Sequence, residues 1–250
     1  MIKVLILSVV QGFTEFLPIS SSGHLALLEN IFKIEEPVAI SAFLHFSTFL
    51  ATLLFFRKEI AMIINGLFKK ESSAASYVVN IIIGNIPIVI FALLFRNTIE
   101  ATFSDVKIVM IFLGITGTVL ILTSLIPKGT KKVSLFRAFI IGIGQMFAVF
   151  PGLSRSGLTI SSGIFCSISP EESFRFSFLL SLPAILGANL LELKQITHLS
   201  NSTEIIVGMV ISFVSGLIAL KILRALVQKW FYLFGFYCLV ISVVYLLITI

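Results

Sequence analysis

Six stretches of this chain, at about residues 38–56, 76–95, 106–126, 174–191, 205–223 and 231–250, are apolar over the length that a helix needs to cross a bilayer, roughly 20 residues. Composition excludes the soluble alternative. Of the 250 residues, 58% are hydrophobic and only 12% charged, about half the charged share of a soluble domain. One soluble core of this size could not hide that much apolar surface. The chain therefore reads as an all-α polytopic membrane protein forming a single membrane domain. Met1–Val10 is too short to span and no small-residue cleavage pattern follows it, so it is not expected to be a signal peptide. Cys166 and Cys238 sit in apolar stretches without metal-ligand spacing and are expected as buried thiols without a disulfide.

Two further apolar regions, about 3–28 and 138–167, are broken in the middle by Pro, Gly and Ser. The breaks read Pro18-Ile-Ser-Ser-Ser-Gly23 and Pro151-Gly-Leu-Ser-Arg-Ser-Gly157. Either they are kinked spans or re-entrant hairpins, and loop charge chooses. With both re-entrant and six crossings, the loops near 57–71, 127–137, 168–175 and 221–229 share one side. They carry 12 of the 18 Lys and Arg, against 5 on the other side. Because cytoplasmic loops are the basic ones, both termini are expected outside. If both broken regions crossed instead, the basic loops would be split between faces. The net charge of +6 is thus read as a topology signal and not as a nucleic-acid surface.

The chain also repeats itself weakly. Gln11–Gly23 resembles Gln145–Gly157, His45-Phe-Ser resembles Arg175-Phe-Ser, and Ile83-Gly84 resembles Val207-Gly208. Halves of about 1–127 and 128–250, each one broken hairpin plus three spans, would be inverted with respect to each other. Paired broken segments in an inverted repeat point to a midplane site between them. Irregular backbone at that depth survives only where protein or a polar cavity satisfies it.

The breaks hold the chemistry. Gln11 and Glu15, four apart, share a helix face that ends at Pro18. Ser20, Ser21, Ser22 and Gly23 follow, and His24 opens a new helix. In the second break Ser154, Arg155 and Ser156 lie between Gly152 and Gly157, with Thr159 after. Both loops lead into a helix N-terminus, where unpaired N–H groups and a partial positive charge suit phosphate, and successive loop N–H groups can form an anion nest. A Glu or Arg at bilayer depth costs about 2.5–3.5 kcal/mol on insertion scales, which marks Glu15 and Arg155 as functional. A blander reading has them merely pair and pin the hairpins together. Serine clusters also let helices approach closely. His24, next to the serines, is an acid, base or nucleophile candidate. His45 has no motif around it and reads as a packing residue or an interhelical hydrogen bond, His198 as a loop residue in solvent, and the 25 phenylalanines as mostly lipid-facing or packing side chains.

At these two breaks the chain resembles the undecaprenyl-diphosphatase (BacA/UppP) family. The first motif stands as Gln11-Gly-Phe-Thr-Glu15-Phe-Leu-Pro18-Ile-Ser20-Ser21-Ser22-Gly23-His24, and the second as Pro151-Gly152-Leu153-Ser154-Arg155-Ser156-Gly157-Leu158-Thr159. The likeness runs nearly the whole length, including Phe176-Ser-Phe-Leu-Leu-Ser-Leu-Pro183. Gln11 departs from it where many members carry a first glutamate, which puts a two-carboxylate metal site in doubt. The resemblance implies a multi-pass enzyme of the bacterial cytoplasmic (inner) membrane that hydrolyses undecaprenyl diphosphate to undecaprenyl phosphate and inorganic phosphate. It implies recycling of the lipid carrier for peptidoglycan synthesis, bacitracin resistance, a site open to the outer face and a divalent cation as helper.

On that reading Arg155 grips phosphate oxygens bidentately. Ser154, Ser156, Thr159, Ser20, Ser22, Gly23 and Gly152 complete the cradle. Glu15, with Gln11, holds a Mg²⁺ or Ca²⁺ that bridges the phosphates. Ser21 or His24 attacks phosphorus, or His24 activates Ser21 or a water; the favoured version is Ser21 attacking with His24 as base. The partners are then a polyprenyl diphosphate lipid and the bilayer, with no nucleic acid; a homodimer is left open. The alternatives are a transporter or flippase for a phosphorylated polyprenyl lipid, since inverted repeats with midplane sites are typical of transporters, and a non-catalytic scaffold.

Overall fold

The structure, a computed structural model, describes residues 1–32, 37–103, 105–193 and 202–249. His198, Lys33 and Lys194 lie outside them. The described residues form twelve helices and no strand beyond an isolated bridge between Lys131 and Ile168. In chain order these are α1 Ile2–Phe16, α2 Ser21–Phe32, α3 Pro37–Phe55, α4 Arg57–Phe68, α5 Ser72–Leu94, α6 Arg96–Phe103, α7 Val106–Leu122 with a 3₁₀ turn at Thr123–Leu125, α8 Leu135–Phe147, α9 Arg155–Phe165, α10 Pro170–Leu193, α11 Ser202–Leu226 and α12 Leu233–Ile248.

The protein is an all-α polytopic membrane protein. Among the described residues α5, α7 with its 3₁₀ turn, α10 and α11 are long and apolar enough to cross a bilayer, and the pair α3–α4, bent by 66°, adds a fifth candidate. The expected span 231–250 is met by α12, an apolar helix of only 16 residues, so length does not by itself fix the count of crossings at six. Two segments expected as loop are helical. Residues within 57–71 form α4, and Arg96–Phe103 forms α6. Arg57, Lys58 and Glu59 open α4, while Met62, Ile64, Leu67 and Phe68 leave an apolar surface exposed.

Both broken regions are helix–loop–helix units, and local chemistry explains each break. Pro18 denies α1 a continuing turn, and Ser20 takes a left-handed φ of 66°, unusual without glycine. In the second break Gly152 supplies a φ of 93°, and a Cβ there would strike the carbonyl of Val109. Ser154 then caps α9 by accepting the amide of Gly157 at 3.1 Å, filling one of the orphan donors at the helix start.

The helices exchange partners between halves. The first helix of the first break, α1, packs most extensively on α11; the first helix of the second break, α8, packs on α5; and α7 packs on α12. Gly84 and Gly142 meet backbone to backbone at the α5–α8 crossing, and Gly117 and Gly235 do so at α7–α12. Small residues at crossings let helix backbones approach where no hydrophobic effect drives them together.

The basic loops gather at one end. Lys131 N–H donates to the Ser167 carbonyl, Gln228 to Glu171, and Arg224 lies 3.6 Å from Glu171. At the opposite end the N-terminal amine pairs with Glu204, and Lys3 donates to the Phe32 carbonyl. Phe16, Phe56, Phe174 and Phe178 are fully buried in one aromatic cluster, as packing phenylalanines. Cys238 is buried and Cys166 partly so, and both are free thiols.

Candidate functional site

The two breaks meet. Pro18 and Gly23 of the first lie against Gly157 and Gly152 of the second. Above this junction lies a cavity of about 330 Å³. Its lining comes from both breaks: Glu15, Ser20, Ser21 and Ser22 from the first, Ala148, Val149, Leu153, Ser154 and Arg155 from the second. The rest of the wall includes Glu29 of α2, Ser41 and His45 of α3, Ile88 of α5, and Ser181, Ala184, Ala188 and Asn189 of α10. Glu29 and Ser41 flank residues 33–36, and Asn189 is near the end of α10, so the cavity extends from the junction toward the end that carries the N-terminus.

Glu15 is the hub. Its Oε1 accepts from Arg155 Nη2 at 2.5 Å. Its Oε2 accepts from the Ser21 hydroxyl at 2.7 Å and from Gln11 Nε2 at 3.2 Å, and His45 Nε2 stands 3.6 Å away. The side chains of Glu15 and Arg155 are 8% and 15% exposed, so this is a nearly buried ion pair, whose desolvation costs several kcal/mol per ion. The guanidinium also lies 5.8 Å above the centre of the Phe178 ring, and its Nη1 is buried without a protein partner. Arg155 lines this serine-rich cavity, and a guanidinium there suits an oxyanion.

Not every candidate reaches the cavity. Ser156 and Thr159 are buried behind Arg155. The Thr159 hydroxyl donates to the Arg155 carbonyl at 2.7 Å and accepts from the Ser177 hydroxyl at 2.5 Å, so it props the helix that presents Arg155. Gly23 and Gly152 shape the loops without lining the space. His24 is turned away. Its Nδ1–H donates to the Ser20 carbonyl at 2.8 Å, its Nε2 faces the Tyr237 hydroxyl at 2.8 Å, and its ring stacks on Tyr237. Nothing connects it to Ser21 here. The proton of Ser21 points to Glu15 instead, which corrects the expected pairing of Ser21 with a His24 base.

His45 corrects the reading in the other direction. Expected as a packing residue or an interhelical hydrogen bond, it lines the cavity beside Glu15. Its signal in the sequence was a polar residue in a spanning segment, which is functional by default. Gln145 and Asn189 are also cavity residues that the sequence did not single out as site residues. Gln145 matches Gln11 in the repeat and donates to Asn85 at 3.0 Å.

The divalent cation expected between Gln11 and Glu15 does not fit the residues as they stand. Gln11 offers Glu15 its amide N–H, and its Oε1 is buried away from the cavity lining. Both Glu15 oxygens already take donors, and no cluster of three His, Cys, Asp or Glu that could hold a metal occurs among the described residues.

Comparison with known proteins adds an independent line. The sequence model of a family described as bacitracin resistance protein BacA matches residues 4–244. An undecaprenyl-diphosphatase of Methanococcus maripaludis strain C7 is 42% identical over 242 residues, covering 95% of this chain and 96% of its own. One from Thermosipho africanus strain TCF52B is 42% identical over 244 residues, covering 96% and 97%. One from Korarchaeum cryptofilum strain OPF8 is 37% identical over 253 residues, covering 96% of each.

Proposed function

The chain belongs to the bacitracin resistance protein BacA family, and from that membership and the geometry of its cavity we propose that it is an undecaprenyl-diphosphate phosphatase. It hydrolyses undecaprenyl diphosphate to undecaprenyl phosphate and inorganic phosphate. The lipid carrier is thereby returned to cell-wall synthesis, and faster return confers resistance to bacitracin. The observation that carries this reading is the Glu15–Arg155 pair, placed by two separate breaks at the end of one serine-lined cavity.

Phosphoryl transfer asks a protein mainly to position groups and neutralise charge. Arg155 takes the terminal phosphate through its guanidinium, with Nη2 shared with Glu15 and Nη1, buried in the resting protein, turning toward the cavity. The N-terminus of α9, capped by Ser154, adds its partial positive charge. Ser20, just before α2, and Ser22, in its first turn, supply hydroxyls from the facing break. Ser21 attacks phosphorus, and Glu15 receives its proton along the 2.7 Å hydrogen bond already present. The departing group is the lipid monophosphate. The apolar part of the wall, from Leu25, Ala26 and Ile88 to Ala184, Ile185 and Ala188, suits the first isoprene units of the tail.

The same reading places the site on the outer side of the cytoplasmic membrane. The cavity extends toward the N-terminal end, opposite the basic loops, and basic loops stay inside. It also treats residues 1–127 and 128–250 as an inverted repeat. The exchange of α1 with α11 and α8 with α5 supports that. The test is phosphate release from undecaprenyl diphosphate by the purified protein in detergent. A transporter binds this lipid without releasing phosphate, and a scaffold does neither.

A further inference from the structure

We propose that His45 is the proton acceptor for the water that completes the reaction, with Nε2 as the acting nitrogen. This rests on the functional reading above and adds a residue to it. The need comes from proton bookkeeping. When Ser21 attacks, the Oγ–P bond forms, the bridging P–O bond breaks with its electrons going to the lipid monophosphate, and Glu15 takes the serine proton. In the return step a water oxygen bonds phosphorus, the P–Oγ bond breaks, and Oγ takes that proton back from Glu15. Glu15 is therefore occupied as an acid at the moment the water must lose a proton, and a second acceptor is required.

His45 is placed for it. Nδ1 lies 3.0 Å from the Ser41 carbonyl and 3.3 Å from the Ser41 hydroxyl, and the neutral tautomer that serves the carbonyl, which only accepts, carries its hydrogen on Nδ1. That leaves the lone pair of neutral imidazole on Nε2, the nitrogen that stands 3.6 Å from Glu15 Oε2. The side chain is 28% exposed within the cavity, so a water can reach it. The second candidate, His24, has both nitrogens engaged outside the cavity. The charged groups around His45 are Glu15 from α1, Glu29 from α2 and, beyond Glu15, Arg155 from α9. From α10 come Ser181 and Asn189, and from α11 comes Ser212, none of which titrates. A proton collected by Nε2 leaves through the open side of the cavity.

The test compares wild type with His45→Gln, which keeps a hydrogen-bonding side chain but cannot carry the proton, using substrate labelled in its terminal phosphate. The expected loss in kcat is about 10²–10⁴-fold, the usual weight of general acid–base catalysis, with KM falling alongside it and kcat/KM nearly unchanged, because only the step after the lipid departs is slowed. The lipid monophosphate should still appear in a first turnover, with the label trapped on Ser21, while free phosphate emerges slowly. Since only neutral imidazole accepts a proton, the acid limb of the wild-type kcat profile should be missing in the variant, and added imidazole should restore turnover to His45→Ala. Equal turnover by wild type and His45→Gln overturns this inference alone. So does a loss in which both products slow together, the acid limb persists and imidazole does nothing, because that is a structural role. A wild-type protein that releases no phosphate overturns the functional reading and this one with it.

Discussion

At the residue scale, the side chains that matter are those that line the junction cavity, a set that leaves out some polar residues of the two breaks, such as Ser156 and His24, and takes in others from outside them, such as His45. Ser21 shares a hydrogen bond with Glu15, whereas His24 ties the carbonyl of Ser20 to Tyr237 on α12. Ser21→Ala should therefore remove the nucleophile and lower kcat by at least about 10³-fold, in line with loss of a covalent step. His24→Gln and Tyr237→Phe should act through the loop. Both break the His24–Tyr237 hydrogen bond, worth roughly 1 kcal/mol, and His24→Gln also disturbs the bond to the Ser20 carbonyl. Because they share that bond, the double variant should lose about as much as His24→Gln alone. Urea denaturation and kcat/KM of the four proteins check this, and additive losses would separate the two residues. The sequence named Glu15, Ser21 and Arg155 because ionisable and nucleophilic groups at bilayer depth are costly. The structure turns His24 from the cavity and brings His45 to it, because a hairpin's adjacency in sequence says nothing about which face a ring presents. His24 follows the serines but points away from the cavity at the end of the first turn of α2, which begins at Ser21, and His45 arrives at Glu15 only through the packing of α3 on α1.

At the element scale, the breaks work because each loop is held against a specific neighbour. Gly152 combines a left-handed φ with contact against the Val109 carbonyl on α7, so no side chain fits there. Gly152→Ala should cost at least about 1–3 kcal/mol from backbone strain alone, with the clash in addition, and should lower both the thermal midpoint in detergent and activity. A stable Gly152→Ala protein of unchanged Tm would show that the second loop is not fixed as described. The helices themselves were legible from apolar runs, since α3, α5, α7, α10, α11 and α12 fall on the six expected stretches within a few residues. Helices α4 and α6 were not, because charged residues at the start of a short helix read the same as a loop. The pairing of α1 with α11 across 200 residues leaves no local pattern in the sequence beyond the small residues Gly12, Ser212, Ser215 and Gly216 at the crossing.

At the scale of the whole molecule, orientation and function meet. The contacts Lys131–Ser167, Gln228–Glu171 and Arg224–Glu171 collect the basic loops, while Met1–Glu204 and Lys3–Phe32 mark the other end. With Cys166 and Cys238 removed, single cysteines at Thr203 and Lys131 should report this directly. A membrane-impermeant thiol reagent on intact cells should label position 203 and spare 131; labelling of 131 alone would reverse the orientation. The central claim is that the Glu15–Arg155 junction is a phosphate site and not a membrane staple. Breaking a buried pair from one side costs about 3–5 kcal/mol, which on a transition state is roughly 10²–10³-fold or more in rate. Arg155→Lys keeps the charge but loses the planar fork, so it should also be severely impaired. The deciding measurement is phosphate release from undecaprenyl diphosphate by purified monodisperse wild type, Arg155→Ala, Arg155→Lys and the double variant Glu15→Gln with Arg155→Gln. The account predicts turnover by wild type and losses of at least about 10²-fold in all three variants, including the double variant in which no unpaired charge remains. Near wild-type turnover in the double variant would contradict it and leave the pair as a structural pin between the two hairpins.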